Sequence, residues 1–133
     1  MGRLSERLDV ARRALGTLDE LAHQSTWTAV ERDAMLQRFE YSLEAVWKAA
    51  QRFLSEVEGI DVGSPNAAIR ASLRTGLLDE QHARDALVMV QDRNSTVHTY
   101  DERLANDIAS RIPGHAYVLR TWVDAMTARS SAA

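Results

Sequence analysis

Apolar residues return every three or four positions along this chain, and the interruptions of that rhythm divide it into helices. Leu4, Leu8, Ala11, Leu15, Leu18 and Ala22 form the first row, as one buried helix face requires. Ser25, Thr26 and Thr28 interrupt it, and Thr28 with Glu31 three residues on makes a capping box that starts a second helix. Met35/Leu36, Phe39, Leu43, Val46/Trp47, Ala50, Phe53/Leu54 and Val57 then keep the period for about six turns. Gly59 and Gly63 end that helix. Ser64 is the N-cap of a short third helix with Pro65 at its first position, where a missing N–H costs nothing, and the helix runs to about Thr75.

Gly76 suits a C-terminal cap and Asp79 the N-cap of a fourth helix, with Ala83, Leu87 and Val90 on its inner face. The apolar pattern stops at Arg93. Thr99 and Glu102 repeat the capping-box spacing and predict a fifth helix from Tyr100 through Leu104, Ile108 and Ile112. Pro113-Gly114 predicts a kink or break, after which Ala116, Leu119, Trp122/Val123 and Met126 resume the period. Neither glycine nor proline occurs in 17–58 or 77–112, which long helices allow and a many-turned β fold does not. The expected architecture is all-α: one domain over residues 1–133, an up-and-down bundle of four to five helices with Trp47 and Trp122 in its core.

Composition narrows the chemistry. The chain has no cysteine, which removes disulfides, thiolate zinc sites and thiol nucleophiles together. A net charge of −3 gives no global basic field, so any nucleic-acid contact must be local. No apolar stretch approaches the ~20 residues of a membrane span, and no secretory signal opens the chain. The expectation is a cytoplasmic protein without membrane contact. His82 and His115 lack metal-ligand spacing and read as surface residues; no metal or other cofactor is expected, and no glycine-rich phosphate loop is present.

One segment carries chemical promise, the junction Asp92-Arg93-Asn94-Ser95-Thr96-Val97-His98-Thr99-Tyr100. On an unbroken helix Arg93 and His98 would be out of phase, but a helix ending near Thr96 lets the histidine swing back toward the arginine. With a cap at Thr99, Tyr100 would lie in the first turn of the next helix, where free N–H groups favour an anion. An arginine fork neutralises phosphoryl oxygens, and an imidazole gives or takes protons near neutrality. If the substrate is RNA, its 2′-hydroxyl supplies the nucleophile, leaving positioning, proton transfer and charge stabilisation to the protein. Against this stands an ordinary solvated helix end. Arg-x4-His alone is expected by chance roughly 0.4 times in such a chain, and with the tyrosine about 0.01 times.

Arg93-x4-His98-x-Tyr100 resembles the signature of the HEPN superfamily, specifically its nucleotidyltransferase substrate-binding branch, whose toxin members are called HepT. The resemblance extends to Phe39 through Lys48, to Ser64-Pro65 with Ile69-Arg70 and Gly76-Leu77, and to His98-Thr99-Tyr100-Asp101-Glu102. It covers roughly residues 30 to 112 and departs at Gln51-Arg52, at Ala71-Ser72 and after Ile112. The resemblance implies a helical bundle that forms a homodimer, with two motif copies at one cleft. It also implies a partner, a cognate minimal nucleotidyltransferase acting as antitoxin. Carried over residue by residue, Arg93 would stabilise the scissile phosphate of an RNA substrate and His98 would be general acid or base of a metal-independent ribonuclease. Asn94 would support them, and Tyr100 would accept AMP from the partner, which blocks the cleft. The alternative is a non-catalytic substrate-binding subunit of a two-component nucleotidyltransferase.

Overall fold

The computed structural model describes residues 2–132, and among them the secondary structure is helical throughout. The helices are α1 (Gly2–Ala22), α2 (Ala29–Glu58), α3 (Pro65–Arg74), α4 (Glu80–Ser95) and α5 (Glu102–Ala132), with a single 3-10 turn (Thr96–His98) between the last two. All six residues of the first apolar row are buried. At the head of α2 the Thr28 hydroxyl accepts from the Glu31 amide at 3.1 Å, and the Glu31 carboxylate accepts from the Thr28 amide at 2.9 Å. That reciprocal pair satisfies two otherwise orphaned donors. Gly59, at φ 70°, closes α2 in the left-handed region, which glycine enters without steric cost. Ser64 caps α3 through the Ala67 amide, and Asp79 caps α4 through that of His82.

Cross-helix contacts define the directions. Arg38 of α2 reaches Thr17 and Glu20 of α1, whereas Lys48 and Ser55 lie beside Arg7, so α1 and α2 are antiparallel. Arg12 meets Thr127 and Asp19 meets Arg120, so α5 also runs against α1 and therefore along α2. Helices α3 and α4 pack on each other and cover the remaining flank, α3 against α2 and α4 against α5. One continuous core results, with Trp122, Phe39 and Phe53 its largest fully buried side chains and Trp47 also buried. The Trp122 indole donates to the buried Ser72 hydroxyl at 3.0 Å, which gives its polar edge a partner where α3 meets α5.

Two expectations are corrected. Pro113-Gly114 does not break the chain into a further helix, because α5 continues through Pro113 to Ala132. Beyond the proline, Leu119, Trp122, Val123 and Met126 are all buried. At about 1.5–3 kcal/mol per large apolar side chain, their burial outweighs the ~3 kcal/mol of an interior proline. The fifth helix also starts later than the Thr99/Glu102 pair predicts. The Thr99 hydroxyl is turned back onto the Thr96 carbonyl at 2.9 Å. The Asp101 carboxylate instead accepts from the Arg103 and Leu104 amides at 3.1 and 3.3 Å. Aspartate is the stronger cap and carries the charge that a helix N-terminus favours.

Candidate functional site

The Arg93 to Tyr100 segment is the exposed corner where α4 hands over to α5. Helix α4 ends at Ser95, close to the expected Thr96, with the Thr96 hydroxyl donating to the Arg93 carbonyl at 2.7 Å. The 3-10 turn follows, its last carbonyl, that of His98, accepting from the Asp101 amide at 3.0 Å. This tight path leaves His98 and Tyr100 on the outside, Tyr100 with 86% of its surface exposed. The two rings meet edge to face, their centroids 6.1 Å apart. Asn94 is exposed on the last turn of α4.

Arg93 points across the bundle to α2, where its guanidinium lies 3.4 Å from the Glu44 carboxylate. Glu44 is a shared acceptor: the Trp47 indole donates to it at 3.1 Å, and the Lys48 ammonium lies 3.8 Å away. Among the described residues no hydrogen bond joins Arg93 to His98. Nor does Tyr100 occupy the first turn of α5. It precedes the Asp101 cap, whose carboxylate already holds two of the free amides, so that helix N-terminus is not an open anion site.

Immediately before the motif arginine, Asp92 is buried and holds α4 to α5. Arg111 donates to it through Nε and a terminal nitrogen at 2.8 and 2.9 Å, and His115 Nε2 lies 2.7 Å away. An ionised carboxylate only accepts, so Nε2 carries the proton. His115, expected at the surface, is buried with its ring stacked on Phe39 at 5.3 Å. The signal was in the period: His115 falls in the same row as Ile108, Ile112, Leu119 and Trp122. His82 is half-buried, beside Asp79 and Tyr117. Burial works against charge on Asp92, yet the hydrogen bonds and charges of Arg111 and His115 prevail and hold its carboxyl below the ordinary value. For His115 burial prevails and pushes the imidazole down, the hydrogen bond to Asp92 offsetting only part of it.

The arrangement defines a class first: an α-helical bundle that exposes a His/Tyr corner shortly after Arg93 and ties α4 to α5 beside it through an Asp/Arg/His cluster whose aspartate and histidine are buried. The family described as nucleotidyltransferase substrate binding protein like matches residues 6–129, and this chain belongs to it. Among solved structures, a protein of Thermus thermophilus is 47% identical with a TM-score of 0.86, the match covering 87% of this chain and 98% of that one. HI0074 of Haemophilus influenzae, described as having the fold of a substrate binding domain of a nucleotidyltransferase, is 18% identical with a TM-score of 0.76, over 90% of this chain and 98% of that one. A chain from a mutant MntA-HpeT toxin-antitoxin structure is 14% identical with a TM-score of 0.78, over 96% and 99% of the two chains. The last two are likenesses of fold. No protein of curated function matches the sequence. No helix among the described residues is long and apolar enough to cross a membrane.

Proposed function

We propose that this protein is a HepT-like toxin, a metal-independent endoribonuclease that works as a homodimer and is silenced by a cognate minimal nucleotidyltransferase. The observation that carries the reading is the exposed corner itself, which leaves His98 and Tyr100 open to a large substrate, with Arg93 just before them on the last turns of α4. One His98 takes the proton of an RNA 2′-hydroxyl, whose oxygen bonds to the adjacent phosphorus. The bond from phosphorus to the 5′-oxygen breaks, and that oxygen receives a proton from the second protomer's His98. The products are a 2′,3′-cyclic phosphate end and a 5′-hydroxyl end. Arg93 neutralises the phosphoryl charge that grows in the transition state, and Asn94 supplies a further polar contact. Transfer of AMP to the Tyr100 hydroxyl, with release of pyrophosphate from ATP, puts a bulky anion beside His98 and repels RNA.

The test is cleavage of RNA in EDTA by the purified chain, with Arg93→Ala and His98→Ala each reducing the rate at least a hundredfold while the circular dichroism of the bundle is unchanged. Cleavage that persists in both variants overturns the assignment. A second reading, the non-catalytic substrate-binding subunit, is favoured by the ion pair of Arg93 with Glu44, which occupies the guanidinium in the isolated protomer. It predicts intact RNA together with AMP on Tyr100 when the partner and ATP are added.

A further inference from the structure

The arginines of this protein fall into two groups. Among the described residues eight of the fifteen have a carboxylate within ion-pair distance, Arg93 with Glu44 and Arg111 with Asp92 among them. Arg52 is half-buried on α2 and Arg7 exposed on α1, and among the described residues neither has a carboxylate within ion-pair distance. Both line one cleft of about 280 Å³ between α1, α2 and the segment after α2, together with Lys48 and Asp61. Gln51 closes one wall by donating to the Val62 carbonyl at 2.8 Å. Three cations line the cleft with one carboxylate, and only Lys48 has a further one at hand, Glu44 at 3.8 Å, in a chain whose overall charge is −3. Arg7 also lines an adjoining depression with Arg3, Glu6 and Val10.

The cleft is linked to Arg93 through α2. Glu44 touches both Arg93 and Lys48, and Lys48 and Arg52 follow it at successive turns of the same face of α2. From Glu44 to Arg52 is about 12 Å along the helix axis at ~1.5 Å per residue. At ~3.4 Å per nucleotide of a stacked strand, that length spans about three or four phosphates. A half-buried guanidinium without a counter-ion is costly in isolation, and the planar fork suits phosphoryl oxygens.

We infer that the Arg7/Lys48/Arg52 cleft is a phosphate-binding subsite for single-stranded RNA, holding the strand a few nucleotides from the phosphate at Arg93. This rests on RNA being the substrate of the motif corner. Binding is electrostatic and independent of sequence, with Asp61 limiting how many phosphates enter.

The experiment is fluorescence anisotropy, in EDTA, of a labelled single-stranded RNA oligonucleotide whose 2′-hydroxyls are methylated so that it cannot be cleaved, titrated with the full chain over a range of salt concentrations. Arg7→Glu/Arg52→Glu is expected to weaken binding at least tenfold and to flatten the salt dependence by about 0.7 for each phosphate that is no longer neutralised. Arg74→Glu, a reversal at an exposed site on α3, controls for net charge and is expected to change affinity less than threefold. His98→Ala is expected to keep affinity for this probe while losing cleavage of unmodified RNA, so that failure of the catalytic reading is seen apart from failure of the subsite. Equal affinity in the double variant and the wild type overturns the inference. So does a wild type that binds no RNA, or one that binds ATP in the cleft instead.

Discussion

Replacing Asp92 by alanine removes the acceptor shared by Arg111 and His115, and the structure supports a worked magnitude for the loss. His115 is 7% exposed at its side chain, so its Nε2–H is left buried without a partner, at about 1–3 kcal/mol. Arg111 is 44% exposed and can turn its guanidinium to water, which limits its share to about 1 kcal/mol. The sum is about 2–4 kcal/mol. At roughly 3–5 °C per kcal/mol for a domain of this size, Tm should fall by about 10 °C. Urea unfolding at pH 7 measures the loss directly, and a double-mutant cycle apportions it. His115→Phe keeps a ring against Phe39 and should show coupling to Asp92→Ala above about 1 kcal/mol, while Arg111→Gln should show less than that. A loss below about 1 kcal/mol, or coupling confined to Arg111, would refute the argument that His115 is the buried partner that matters.

Acid should expose the same cluster. Unfolded, His115 titrates near 6.5, and folded its pKa is lower. Between those values the unfolded chain binds the extra proton, so stability is complete above pH 6.5 and declines as the pH falls through the window. Asp92, depressed from 3.8, adds a second loss below that pH. Tm measured from about pH 7 to 5 should therefore drop in the wild type and drop less in His115→Phe; equal slopes contradict the assignment. Asp101→Ala should cost about 1 kcal/mol and Thr99→Ala distinctly less in thermal unfolding, the reverse order restoring Thr99 as the cap. Ser42 is buried on α2 and its hydroxyl has no hydrogen-bond partner among the described residues, so Ser42→Ala should be neutral or raise stability by up to about 1 kcal/mol in urea. Trp122→Phe fills most of the same space but leaves the Ser72 hydroxyl without its donor, and should cost about 1–3 kcal/mol; a neutral result would show that the bond at 3.0 Å contributes nothing.

What the chain determined by itself is what short-range contacts encode. The apolar rows, the Thr28/Glu31 box, the Ser64 and Asp79 caps and the Gly59 terminus all depend on groups within one or two turns of each other. Periodicity and spacing therefore located α1 to α4 and the end of α4 near Thr96. The motif residues were legible for the same reason, as an Arg, a His and a Tyr within eight positions. Competition between local options was not legible. Thr99 and Asp101 both offered a cap, and only the folded 3-10 turn directs the Thr99 hydroxyl to Thr96 and leaves the amides to Asp101. Pro113 shows the same limit, because the packing that carries α5 through it comes from other helices. Tertiary structure alone decided the surroundings of the corner, since its partners lie far away in sequence: Glu44 beside Arg93 at a separation of 49 residues, and Arg111 and His115 on Asp92 at 19 and 23. Such pairs form only once the core has aligned α2, α4 and α5, because the free energy that holds them comes from burying those apolar faces.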